Sequence, residues 1–380
     1  MKIDSRPLFG VLTALASALF ITACAGGGST GSAAPPALLQ PLPAPAMTVT
    51  AAQNGAAIVS ISSTPGSTVY YTTDASPPTP NSILYSTPLL VSTAQTVSAI
   101  ATASGATPSA AASTRISNTV ASGTLIWSDE FGNSSGLNAA PDGNYWAFDS
   151  MATGFKTVNS ELEVYCGWAS TISPCTGNPN AYVGATDGLL HIVAQQPLAE
   201  VYTSARINTA GRLSMTYARI EAMIKLPEGQ GFWPAFWLLG NNISQAGWPA
   251  CGEMDVMEHV NAPVPDWIAG TLHMNGASGA SGPTSHYAAA VTSFSASDWH
   301  VYGMIWKKGM VQYYVDTPSN IYATYTSSAL PAGAVWPFDS GQGRFIILNL
   351  AVGGSWPGAP DRSTVFPSEM LVDYVRVYAN

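Results

Sequence analysis

Short runs in which apolar and polar residues alternate recur along this 380-residue chain, broken by Gly, Pro, Asn and Asp. Period-two alternation places successive side chains on opposite faces of an extended segment, so each run predicts a strand with one buried and one open face. The clearest runs are Leu189–Ala194, Ala218–Leu226, Trp233–Leu239, Gly252–His259, His300–Trp306, Val311–Val315, Phe345–Ala351 and Leu371–Tyr378. Nothing in the pattern demands a helix longer than about two turns. With 35 Gly and 28 Pro available for turns, the expected architecture is all-β, a sandwich of two sheets with no internal repeat.

The texture of the pattern changes along the chain and marks four stretches. In residues 1–23, Lys2 and Arg6 precede an almost wholly apolar run, Leu8 to Ala23, whose sixteen residues are too few to span a bilayer comfortably. Residues 24–46 are Gly, Ser, Ala and Pro with few side chains able to form a core, the composition of a tether. Residues 47–122 alternate in stretches such as Ala57–Ile61 and Thr68–Thr72 between Pro-Gly and Asp-Ala-Ser-Pro-Pro turns, which predicts a small β-sandwich. From Gly123 to Asn380 charge and aromatic density rise and stay high, as expected of one large β domain.

Charge removes two classes of partner. Thirteen Lys and Arg against 22 Asp and Glu give a net charge of -9, with no basic footprint for nucleic acid or for an anionic membrane surface. Eleven Trp and 16 Tyr supply flat aromatic faces of the kind that stack on sugar rings. Beyond Cys24, three cysteines remain, an odd number. Cys166 and Cys175 bracket a short turn-rich segment and are expected to form a local disulfide, leaving Cys251 as a small buried residue; no His arrangement points to it as a nucleophile.

The segment Gly252-Glu253-Met254-Asp255-Val256-Met257-Glu258-His259 departs most sharply from the alternating pattern. A six-residue window in a chain with 22 acids in 380 residues should hold about one third of an acid, and this one holds three. In a regular strand Glu253 and Asp255 share one face, while Glu258 falls on the core side with Met254 and Val256. A lone carboxylate in a core is too costly, so either the strand ends at Met257 or a β-bulge returns Glu258 to the face of the other two. A row of three acids raises the pKa of one member so that it keeps a proton while another stays ionised. Glycoside hydrolysis needs that division, one carboxylate attacking and the other protonating the leaving oxygen. The plainer alternatives are a solvated acidic face and a divalent metal site. Just upstream, alternation puts Trp233, Ala235 and Trp237 on one face and Phe232, Phe236 and Leu238 on the other, so one face can be core and the other a sugar-binding wall.

These residues resemble the Glu-x-Asp-x-x-Glu signature of glycoside hydrolase family 16, in the bulged form of its laminarinase-type members. Trp127–Phe131, Asn159–Glu163, Tyr202–Ile207, Ile224–Pro227, Gly270–His273, Gly353–Gly358 and Asp373–Tyr378 resemble further stretches of that family, in order, across residues 123–380. The resemblance implies a β-jelly roll with a substrate cleft on its concave sheet and retaining, endo-acting hydrolysis of β-1,3-glucans. Mixed-linkage glucan or a red-algal galactan is the alternative substrate, and a non-catalytic glucan-binding surface protein the alternative class. By position it implies Glu253 as nucleophile, Glu258 as acid/base and Asp255 between them. His273 is placed near the reacting sugar, Asn159 and Arg206 at sugar hydroxyls, and Trp233, Trp237 and Trp356 on the cleft walls. No cofactor is expected for catalysis. A structural calcium ion is implied, held by the carbonyls of Glu130 and Gly188 and by the carbonyl and side chain of Asp373. The Cys166–Cys175 loop departs from the family's shorter polar turn near Asn159.

Two further resemblances concern the N-terminal stretches. Residues 47–122, through Val69-Tyr70-Tyr71-Thr72-Thr73-Asp74 and Thr96–Ala101, resemble the chitobiase C-terminal-like modules of bacterial glycosidases, which act mainly as spacers. Ile21-Thr22-Ala23-Cys24 resembles the lipobox of bacterial lipoproteins and implies lipidation at Cys24, with an outer-membrane or cell-surface location; the alternative is an ordinary signal peptide. A monomer is expected, touching the membrane only through that anchor.

Overall fold

A computed structural model describes residues 39–380 except 134, 156, 178, 261–266, 277–283, 289–293 and 331–332, with only the backbone of 151 and 284–288. Cys24 and the apolar run before it lie outside the described residues. Two large, almost wholly antiparallel sheets face each other across residues 125–379, with a smaller four-stranded sheet at the N-terminal side. The predicted strands are all present, six of the eight to within one residue at each end, whereas Leu190–Leu198 runs four residues further than expected and Ser368–Ala379 starts three residues earlier; among the described residues the α-helical segment is the single turn Ile243–Ala246.

One large sheet runs in the order Leu89–Val91, Ser214–Met215, Arg344–Val352, Phe232–Gly240, Glu253–Glu258, Trp267–His273, Thr284–Ala288. The other centres on Ser368–Ala379 between Leu190–Leu198 and Ala218–Lys225, and continues through Trp299–Lys307 and Met310–Val315. Their facing sides form one core. Phe232, Phe236 and Leu238 are fully buried there against residues such as Ile220, Met304, Leu348 and Val375, while Trp233 and Trp237 stay partly open on the reverse side. Alternation along one strand thus decides which aromatic rings stabilise the fold and which remain available to a ligand. Gly270 lets the sheets approach closely: a Cβ there would stand 2.6 Å from the Tyr313 ring.

The segment before residue 123 is built into this sandwich. Ala46–Ala51, Ala57–Ser62 and Leu89–Val91 extend the cleft-bearing sheet, the last pairing in parallel with Ser214–Met215. Side chains add to the seam: Ser86 Oγ donates to the Asn241 carbonyl (3.1 Å), Gln342 Nε2 to the Leu84 carbonyl (3.4 Å) and Asn54 Nδ2 to the Leu125 carbonyl (2.8 Å). This segment keeps its own small core around Val59, Tyr71 and Val97.

Candidate active site

Of the two arrangements that the sequence leaves open for Glu258, the acidic strand adopts the β-bulge. Against the neighbouring Trp-bearing strand, Leu239, Trp237 and Ala235 face Glu253, Asp255 and Glu258, and the register slips by one residue between Asp255 and Met257. The same slip occurs against Trp267–His273, where Glu253 pairs with His273, Asp255 with Thr271 and Glu258 with Ala269. The extra residue restores Glu258 to the face of the other two acids, while Met254 and Met257 remain buried in the core.

That face floors a cleft of about 400 Å³. Its walls include Phe155, Asn159, Tyr165, Arg206, Trp233, Trp237, Trp248 and Asn349. Trp233 Nε1 donates to Glu258 Oε1 at 3.0 Å, and Trp248 Nε1 donates to Glu253 Oε2 at 3.0 Å. His273 Nε2 stands 3.1 Å from Asp255 Oδ2 and 3.7 Å from Glu253 Oε1. Arg206 is fixed by Asp149, its Nε 2.9 Å from Oδ2, and its guanidinium lies over the rings of Phe155 and Trp237 at 4.7 and 4.6 Å. Trp356 stands edge-on to Trp233, their centroids 5.4 Å apart, and is 41% exposed. The cleft therefore gathers Asn159, Arg206, Trp233 and Trp237 around the acid row, with His273 and Trp356 in contact with its members.

Burial is the main force on the acids, and crowding adds to it. The Glu253 carboxyl is raised to about 8 by burial and by the Asp255 charge, against the opposing pull of His273 and the Trp248 indole. The Glu258 carboxyl is raised well above its ordinary value by burial, by Asp255 and by Glu253. Burial and crowding thus favour the protonated form of both carboxyls and disfavour their being ionised together. One neutral acid and one ionisable carboxylate on a common face, in a cleft lined by indole rings, form the outfit of a glycosidase.

Several contributors escape sequence reasoning. Trp248 sits in a Gly-Trp-Pro turn with no periodicity to mark it. Asn349 did leave a signal, as a lone polar residue in the apolar run Phe345–Val352; its Oδ1 accepts from Trp237 Nε1 at 2.7 Å and its Nδ2 donates to the Tyr165 hydroxyl at 3.2 Å. Glu161 lines the cleft beside Asn159; the nearby Glu163 is buried, its Oε2 accepting from the Val352 amide at 2.7 Å, and burial and Glu161 raise its carboxyl to about 8. Cys166 and Cys175 are joined in a disulfide and Cys251 is a buried free cysteine. The disulfide loop leaves the cleft wall directly after Tyr165.

Two groupings could hold cations. Ligand atoms of Glu253, Asp255 and His273 lie within 4.8 Å of one another, on the face that also carries Glu258. Away from the cleft, Asp373 lies on the Ser368–Ala379 strand between the end of Leu125–Asp129, where Glu130 follows, and the start of Leu190–Leu198, which Gly188 shortly precedes. The topology thus places Glu130 and Gly188 near Asp373 on this interior strand. The Glu130 carboxylate is itself turned to Arg376 (2.8 Å), leaving only its carbonyl for a metal.

Residues 173–375 match the model of the glycosyl hydrolases family 16, and residues 47–114 match the chitobiase/beta-hexosaminidase C-terminal domain. The chain belongs to glycosyl hydrolase family 16 and is a glycoside hydrolase with a β-jelly-roll sandwich. Among its relatives, a beta-glucanase of Rhodothermus marinus is 37% identical over 263 residues, spanning 67% of this chain and 84% of that protein. The laminarinase catalytic domain of Thermotoga maritima superposes with a TM-score of 0.57 at 37% identity, covering 68% of this chain and 98% of that one. The endo-beta-1,3-glucanase of Pyrococcus furiosus does so with a TM-score of 0.57 at 40% identity, covering 67% and 94%.

Proposed function

We propose that the enzyme cleaves internal β-1,3-glucosidic bonds of laminarin-type glucans with retention of configuration. The observation that carries this reading is the bulge between Asp255 and Met257, which sets Glu253, Asp255 and Glu258 on one face beneath a Trp-lined cleft. Glu253, held by the Trp248 indole, attacks the anomeric carbon, and its C–O bond to the sugar forms as the glycosidic C–O bond breaks. Glu258 gives its proton to the departing oxygen. It then takes a proton from water, whose oxygen displaces Glu253 and restores the starting configuration. Asp255, between the two, favours proton retention on Glu258 and is balanced by His273. The β-1,3 linkage is supported by the laminarinases among the relatives. Azide tests the roles: it should restore turnover of an activated β-glucoside in Glu253→Ala with an α-azide product and in Glu258→Ala with a β-azide. Failure of both rescues would refute the assignment.

The same reading covers the periphery. The Ile21–Cys24 junction supports a lipid anchor that would hold the enzyme at the outer membrane or cell surface; a Cys24→Ala protein should then leave the membrane fraction. Glu130, Gly188 and Asp373 offer an all-oxygen set suited to calcium. A chelator should lower Tm and leave kcat at temperatures below unfolding unchanged, whereas an unmoved Tm would dismiss the ion.

A further inference from the structure

Arg344 is fully buried, at 0% exposure, at the start of the strand that pairs with the Trp-bearing one. Among the described residues no carboxylate pairs with it. Its guanidinium instead donates to three main-chain carbonyls, from Nη1 to Gln342 (3.0 Å) and from Nη2 to Cys251 (3.2 Å) and Pro337 (3.2 Å). The rings of Trp306 and Phe338 face it at 5.0 and 4.9 Å. Burial lowers its pKa to about 10, which leaves it cationic at neutral pH. A Met or Leu would fill much of this space without the cost of burying a charge. What the guanidinium supplies in addition is a set of donors in fixed directions.

One of those donors is aimed at the approach to the acid row. Cys251 and Gly252 directly precede Glu253. Gly252 adopts a left-handed φ of 77°, and a Cβ there would stand 2.5 Å from Arg344 Nη2 and 2.7 Å from Pro337 Cγ. The Cys251 amide is tied back to the Gly247 carbonyl (2.9 Å) and the Gly252 amide to Pro249 (2.9 Å), closing the turn from which the Trp248 indole reaches Glu253. We infer that Arg344 is a positioning residue for Glu253, clamping the Cys251 carbonyl so that the turn delivers both the carboxylate and its indole partner to the cleft. The inference rests on Glu253 being the nucleophile. It also links the N-terminal module to the site, because Gln342, whose carbonyl Arg344 grips, donates its side-chain amide to Leu84 of that module.

The test compares Arg344→Met and Arg344→Lys on laminarin, with active enzyme counted by a 2-deoxy-2-fluoro glucosyl trap. Misplacing the nucleophile by a fraction of an ångström should lower kcat per active site roughly 10- to 100-fold in Arg344→Met. KM should move less than about twofold, since Arg206, Trp233 and Trp237 lie outside the clamp. Arg344→Lys, which keeps the charge and reaches fewer carbonyls, should recover part of the loss. A kcat within about twofold of the parent, or a loss carried wholly by KM, would overturn the inference. Should Arg344→Met yield no folded protein, Arg344→Lys decides alone: a reduced kcat at unchanged KM supports the clamp, and a parental kcat dismisses it. Azide rescue of Glu253→Ala keeps the two questions apart, because a successful rescue with parental Arg344 variants removes only the clamp.

Discussion

Each of the two sheets draws glutamate at least partly out of solvent, and they treat it in opposite ways. On the outer sheet Glu221 is only 6% exposed and is saturated with donors: Arg219 Nη1, the Tyr314 hydroxyl and the Tyr378 hydroxyl at 2.8 Å. Burial and Glu221 together push the Tyr314 phenol upward, so it stays a donor. On the cleft sheet Glu253 and Glu258 receive one indole each and share their face with a third acid. A buried carboxylate surrounded by donors stabilises a fold. One left short of them, beside another of its kind, stores the proton imbalance that catalysis uses.

The largest expected effect separates these classes. Glu253→Gln or Glu258→Gln should lower kcat by about four orders of magnitude or more while leaving the fold intact. Glu221→Gln should keep kcat and destabilise the protein by about 3 kcal/mol in denaturant unfolding, because it strands Arg219 and two phenols. Asp255→Asn should be milder, about 100-fold in kcat, since it alters the charge felt by its neighbours rather than a reacting group.

Smaller changes sharpen the contrast. Trp248→Phe removes the donor that opposes protonation of Glu253, so its pKa should rise further. The acidic limb of the kcat/KM profile should then move to higher pH, with kcat down about tenfold. Stability should report the same strain. Both cleft carboxyls are raised in the fold, so the native state binds more protons than the unfolded chain, and stability falls as pH rises above the unfolded value near 4.5, for Glu253 until about 8. Glu258→Gln lacks its share of that penalty and should melt higher than the parent at pH 8, with the gap closing by pH 5.

The sequence pattern made the acid row legible and narrowed Glu258 to two arrangements, a strand ending at Met257 or a bulge, of which the structure shows the bulge; the same period sorted Trp233 and Trp237 from Phe232 and Phe236. The seam with the N-terminal module was not legible. Pairing of Leu89–Val91 with Ser214–Met215 joins two- and three-residue strands about 125 positions apart, and short non-local pairs leave no period to read. Trp248 and Arg344 were hidden for a related reason, since a turn residue and a strand-end residue take their meaning from what folds against them. Asn349 was readable in principle, as an amide interrupting an apolar strand.

In the proposed mechanism Glu253 forms a covalent bond to the sugar while Glu258 carries the proton. The most direct test is peptide mass spectrometry of enzyme inactivated by a 2-deoxy-2-fluoro-β-laminaribiosyl fluoride. One label per chain is expected, as an ester on Glu253, released slowly on adding an acceptor glucan. A label on Asp255 or Glu258, or the absence of any label together with an inverted anomer among the first products from laminarin, would contradict it.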